Sequence, residues 1–146
     1  MVISKTCGYA IRGVVFLSLD QNRTKKIGIV EIAEELQIPQ HFLSKILQNL
    51  VNKGLIYSVR GPHGGFFTKE PILKTTILDI VKIVDGLSVL KKCFLGREEC
   101  SSENPCPMHD EFESCREGIF DTFRNKTIGD LVQGVESGET TLSGIA

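Results

Sequence analysis

The hydrophobic pattern changes period at Gly54, and that switch limits the folds open to this chain. Before it, Val30, Ile32, Ala33 and Leu36 mark a short helix. Gln37-Ile38-Pro39 interrupts that helix, because proline has no amide hydrogen and suits only the first turn of the next one. The second helix is expected to run to about Lys53, with Phe42, Leu43, Ile46, Leu47, Leu50 and Val51 facing inward. Gly54 is its expected C-terminal stop. Beyond it, Leu55 to Val59 reads as a strand, Gly61 to Gly65 as a turn, and Phe66-Phe67-Thr68 as the start of a second strand.

Two short helices in tight succession, followed at once by a glycine-rich hairpin, make a winged helix-turn-helix. The second helix presents Gln40, His41, Ser44, Lys45 and Gln48 on its polar face. Those side chains can donate or accept hydrogen bonds at base edges and phosphates. Arg60 stands at the base of the hairpin, within reach of phosphates or a narrow minor groove. His63 sits at its tip, as a solvated turn residue or a further DNA contact. The blander alternative is a small helical core that binds nothing. Helix pair and hairpin together favour a double-stranded DNA partner.

Charge points the same way. Residues 1–75 carry ten Lys/Arg and five Asp/Glu, a net of +5, whereas residues 76–146 carry seven and thirteen, a net of −6. A basic front half joined to an acidic rear half suggests that only the front meets a polyanion.

The remaining elements frame this unit. Cys7, Ala10, Ile11, Val14, Val15, Leu17 and Leu19 give residues 4–19 the apolar face of a first helix. Ile77, Ile80, Val81 and Val84 mark a short helix ended by Gly86. A long helix is expected from about Met108 to Asn125. Its apolar positions, Met108, Phe112, Cys115, Ile119 and Phe123, form a narrow seam flanked by acids, which favours a homodimer interface over intramolecular packing. A two-fold dimer would read a palindromic operator. Thr127-Ile128-Gly129-Asp130 matches a capping box, so a last helix is expected through about Val135. The tail from Glu136 is poor in apolar residues and expected to be mobile. The expected fold class is mainly α with a small β-hairpin wing. Its division is a DNA-binding domain over residues 1–75, a cysteine loop and dimerisation helix over 76–135, and a flexible tail over 136–146.

Between wing and long helix lies the sequence's second strong feature, Cys93 to His109, spaced C-x6-C-x5-C-x2-H. It carries Pro105, Pro107, Gly96, Ser101, Ser102 and Asn104 and no apolar period, so it reads as a loop. Thiols on a loop suit a metal centre, a disulfide or redox chemistry. The first residues lack the order of a signal peptide, and no run approaches the roughly 18 apolar residues of a membrane span. A cytoplasmic protein with no membrane partner is therefore expected, where five cysteines argue for metal or redox use over disulfides. Nothing assembles a nucleophile, a base and an oxyanion site, and Gly61 to Gly65 lies in a hairpin rather than between strand and helix. An enzyme is not expected.

These residues resemble a known family. SVRGPHGGF is similar to the wing signature of the Rrf-two (IscR/NsrR-like) winged-helix transcription regulators. SKTCGYAIRG resembles that family's first helix, IAEELQIPQHFLSKILQNLVNKGLI its helix-turn-helix, and the cysteine trio with TIGDLV its rear half. The resemblance spans roughly residues 2–135. It implies a homodimeric DNA-binding regulator whose three-cysteine members hold an iron–sulfur cluster. By position, Cys93, Cys100 and Cys106 would be the thiolate ligands and His109 the residue completing a [2Fe–2S] site. Gly8 stands where nitric-oxide-sensing members carry an acidic [4Fe–4S] ligand, so [2Fe–2S] is favoured over [4Fe–4S] unless Cys7 takes that role. Cys7 otherwise reads as a core thiol and Cys115 as a buried seam residue. The resemblance also puts Arg60 at the wing arginine that enters the minor groove, and His41 and Ser44 at base-contacting positions. Zinc is a minor alternative, since no short C-x2-4-C knuckle occurs. Two others are a metal-free thiol redox sensor and a constitutive or protein-controlled repressor of the same fold.

Overall fold

The computed structural model describes residues 2–143. Six α-helices and one two-stranded hairpin follow in the order α1 (Lys5–Ser18), α2 (Ile29–Leu36), α3 (Gln40–Asn52), β1 (Tyr57–Val59), β2 (Gly65–Phe67), α4 (Ile77–Val84), α5 (His109–Asn125) and α6 (Ile128–Glu136). Short 3-10 turns cover Glu70–Lys74 and Leu87–Lys91. No helix among the described residues is long and apolar enough to cross a membrane.

Helix α1 is the hub. The Ser4 hydroxyl accepts a hydrogen bond from the Cys7 amide at 3.0 Å and so caps the helix. Its broad apolar face packs against α3, α4 and α6. Gly13 lies where α1 meets α3; a Cβ there would sit 3.0 Å from Leu47 Cδ2. One buried cluster therefore runs from Cys7 and Val14 of α1 through Leu47 of α3 to Ile80 of α4 and Val132 of α6.

Gln37 turns α2 into α3 with a left-handed backbone, φ 55° and ψ 43°. The buried face of α3 is Leu43, Ile46, Leu47 and Leu50. Two residues expected to face inward do not lie fully there. Val51 is half-buried, and Phe42 is 53% exposed. A helix turns about 100° per residue, so Phe42, next to Leu43, falls outside the buried stripe.

In the wing, Tyr57 pairs with Phe67 and Val59 with Gly65, antiparallel. The first strand starts two residues later than the sequence suggests, since Ile56 is committed to the core. Ile27 bonds to Phe66 in both directions, at 2.9 and 2.8 Å, and ties the hairpin to the segment before α2. Gly65 permits this: its φ is +147°, and a Cβ would lie 2.6 Å from the Ile27 backbone.

Both α4 and α6 open with complete capping boxes, Thr76 with Asp79 and Thr127 with Asp130. Ile77 donates to the Lys126 carbonyl at 2.9 Å and Ile128 to the Thr75 carbonyl at 2.8 Å, so α5 ends beside the start of α4. The tail, expected to be mobile, makes contacts with the rest of the chain. Leu142 packs against the core, its carbonyl accepts from Arg12 Nε at 2.9 Å, and Thr140 donates to Gly134 at 3.1 Å. Residues 144–146 lie outside the described chain.

Candidate metal centre

The cysteine loop leaves α4 through the 3-10 turn Leu87–Lys91 and returns as α5. Turns near its cysteines fold it back on itself. The Gly96 amide donates to the Cys93 carbonyl at 3.0 Å, Asn104 to Ser101 at 3.0 Å, and His109 to Cys106 at 3.0 Å. From α5, Arg116 Nη2 donates to the carbonyl of Lys92 at 3.0 Å and fixes the backbone next to the first cysteine. Phe94 tilts against Phe112 of α5 with ring centroids 5.3 Å apart.

This folding brings together three of the side chains singled out in the sequence. The sulfurs of Cys93, Cys100 and Cys106 all lie within 4.8 Å of one another. Cys93 and Cys106 are 3.7 Å apart, well beyond the roughly 2.05 Å of a disulfide. His109, the first residue of α5, joins them: its Nδ1 is 3.1 Å from the Cys100 sulfur. Its Nε2 lies 2.9 Å from a carboxylate oxygen of Glu113, off the axis of a well-aligned hydrogen bond. A carboxylate against the far nitrogen is how a metal-binding imidazole is commonly oriented. The donor set therefore fits a thiophilic metal or an iron–sulfur group.

The thiols are not equivalent. The Arg97 amide above all, then the Leu95 amide and the thiols of Cys106 and Cys100, hold Cys93 down at about 7 against the opposing effect of desolvation. Burial pushes the Cys106 thiol up. A cavity of about 370 Å³ opens beside Cys93 and Cys100, with Lys91, Lys92 and Arg97 on its walls. Glu98 shares the wall with these three cations.

The other two cysteines stand apart from this cluster. Cys7 is fully buried in the core, and burial first, then the Asp85 carboxylate, pushes its thiol up to about 12. Cys115, expected as a buried seam residue, is exposed. The seam itself is split. Ile119 and Phe123, with Phe120, pack against the core, Phe112 holds Phe94, and Met108 is exposed beside Cys115's face of the helix. Gly8 is half-buried, and a Cβ there would meet nothing within 4 Å.

The residues expected to meet DNA lie on α3 and in the wing. Gln40, His41, Lys45 and Gln48 are exposed on α3, and Ser44 is half-buried. Gln48 Nε2 donates to Asn52 Oδ1 at 3.3 Å. Arg60 and His63 are exposed in the wing. Sequence reasoning missed Glu113, although its i,i+4 spacing from His109 was a usable signal. It also missed Arg116 and the exposed Phe42 and Asn49, for which spacing gave no sign.

Comparison with known proteins adds four findings. A family model named Rrf2, described as an iron-dependent transcriptional regulator, matches residues 3–134. A putative HTH-type transcriptional regulator of Aquifex aeolicus (strain VF5) is 38% identical over 135 residues, covering 90% of this chain and 92% of that protein. The HTH-type transcriptional regulator NsrR of Oceanobacillus iheyensis is 27% identical over 137 residues, covering 93% and 92%. Among solved structures, the IscR of T. potens superposes with a TM-score of 0.70 over 95% of this chain and 91% of that one, at 18% identity, and so supports the winged-helix fold.

Proposed function

This chain belongs to the Rrf2 family of transcriptional regulators, and on that premise we propose that it is a cytoplasmic homodimer whose operator binding follows an iron–sulfur cluster on the Cys93–His109 loop. The family's members are transcriptional regulators rather than enzymes. One observation carries the cluster reading: three thiols from one loop converge within 4.8 Å, with an imidazole nitrogen 3.1 Å from one of them.

Cys93, Cys100 and Cys106 would hold the group as thiolates, with His109 Nδ1 as fourth donor. A [2Fe–2S] group is favoured over [4Fe–4S], because Gly8 offers no donor. When bound, it would supply one-electron redox chemistry and sensitivity to oxidants and nitric oxide. The chain's own residues do the rest. Glu113 sets a carboxylate 2.9 Å from the far nitrogen of the imidazole. The backbone amides of Arg97 and Leu95 favour a thiolate at Cys93. The helix that leads into the loop also touches the DNA-binding part. Asp85, at the end of α4, accepts hydrogen bonds from the Ser4 amide at 2.8 Å and from the Ser4 hydroxyl. Ser4 caps α1, and α1 packs on α3. Order in the loop thus bears on the placement of the recognition helix, where Gln40, His41, Ser44, Lys45 and Gln48 would face a major groove while Arg60 and His63 reach from the wing.

The test is anaerobic purification, with iron and sulfide analysis and visible and paramagnetic-resonance spectra. Binding to a duplex enriched from a randomised pool is then compared with and without iron. Iron and sulfide in the loaded protein, together with a changed affinity or site preference, support the proposal. Stoichiometric zinc, or a colourless protein that cannot be reconstituted, sinks the cluster. Equal binding in both forms sinks the switch.

A further inference from the structure

We infer that Phe42 reads a thymine methyl group in the major groove, an assignment that rests on the DNA-binding reading above. The hydrophobic pattern groups Phe42 with the inward residues of α3, yet the structure turns it outward and leaves 53% of its surface exposed. It sits in the first turn of α3, three residues from Lys45 and seven from Asn49, so all three share one face of the helix. Lys45 and Asn49 are both exposed. His41 leans on the ring, with centroids 4.2 Å apart and planes at 38°. The ring is thus braced on one side and open on the other.

Its surroundings narrow what it can meet. Its exposed neighbours on this face, His41, Lys45 and Asn49, are polar. Those neighbours on α3 offer a protein partner no apolar stripe continuous with Phe42. The first turn of a recognition helix is also the part that reaches base edges. There, adenine, guanine and cytosine present hydrogen-bond donors and acceptors, while thymine adds a C5-methyl group. A phenyl ring cannot hydrogen-bond. Pressed against a donor or acceptor edge it would desolvate that edge and leave it unpaired, a cost the methyl group does not carry. Phe42 therefore favours thymine at one position of each half-site and works against the other bases.

The test uses the full-length protein and a duplex enriched from a randomised pool, with each thymine replaced singly by uracil. That swap removes the methyl group and nothing else. One thymine per half-site is expected to show about a four-fold loss of affinity on replacement, the effect of withdrawing one methyl-sized apolar contact. Phe42→Ala is expected to bind the thymine and uracil duplexes equally and to unfold at the wild-type temperature, since the ring is exposed. Phe42→Leu, still apolar, should keep part of the preference. Uracil tolerated at every position overturns the inference, as does a full uracil penalty in Phe42→Ala. A Phe42→Ala loss that is equal on all sequences, with no uracil effect, places the ring against sugar and phosphate and also overturns it. If no duplex is enriched, the DNA-binding reading itself fails and takes this inference with it. Enrichment without a methyl effect sinks the inference alone.

Discussion

Five thiols of one chain occupy three kinds of surroundings, and surroundings decide what each can do. Cys93, Cys100 and Cys106 converge, Cys7 is enclosed in the core, and Cys115 is exposed. If the trio holds iron, Cys93→Ser, Cys100→Ser and Cys106→Ser should each reduce iron per chain to near background in anaerobically purified protein. Cys115→Ser should leave it at the wild-type value. Equal iron in all four variants would place the metal elsewhere. Cys7 makes a different prediction. Its folded-state pKa of about 12 lies above the ordinary 9.0, so the folded chain keeps a proton that the unfolded chain releases. Its stabilising contribution is intact below pH 9 and is lost as pH climbs from 9 toward 12. Denaturant midpoints measured from pH 8 to 11 should fall less steeply for Cys7→Ala than for wild type. The trio was legible in the sequence because clustered thiols on a loop have few other uses. The exposure of Phe42 was not, because a hydrophobic period records residue types and not which neighbours close over them.

The elements follow the sequence closely where local chemistry dictates them. Pro39, Gly54 and the Thr-x-x-Asp boxes at Thr76 and Thr127 each act over three or four residues, so a sequence shows them directly. The wing is only half local. Its turn residues are plain, but its third partner, Ile27, lies more than thirty residues upstream and no spacing announces it. That bridge explains the glycine at 65, while the hairpin's own backbone explains the one at 64. A Cβ on Gly64 would stand 2.0 Å from the Val59 carbonyl oxygen, and one on Gly65 would meet the Ile27 backbone. Gly65→Ala must therefore either release the bridge or strain a backbone that L-residues rarely adopt. We expect a loss of about 1–3 kcal/mol in urea unfolding, with weaker DNA binding because Arg60 and His63 lose their mount. A variant as stable as wild type would mean the wing closes without Ile27.

At the scale of the whole molecule, the question is what α5 rests on. It has seventeen residues, and only His109 is buried. Its second half leans on the core through Ile119, Phe120 and Phe123, while Met108 and Cys115 face outward. A helix this long with so little cover gains from a second surface, and a symmetric partner supplies one without any new sequence. Charge sets the direction. Asp110, Glu111, Glu113 and Glu117 outweigh Arg116 in the first part of α5, and Arg124 and Lys126 outweigh Asp121, which pairs with Arg124 at 3.1 Å, toward its end. An antiparallel pair would set acids against bases, whereas a parallel pair would set acids against acids. Cys115 is close to the middle of the seam, so a two-fold antiparallel pair would bring its two copies near the axis. Because Cys115 is exposed in the single chain, Cys115→Glu should fold normally, yet it would place two like charges together at the interface. Sedimentation should show a wild-type dimer and a shift of Cys115→Glu toward monomer, with operator affinity lowered as half-sites are bound singly. A wild-type monomer would end the dimer proposal. A Cys115→Glu dimer as tight as wild type would move the interface off this stretch of α5.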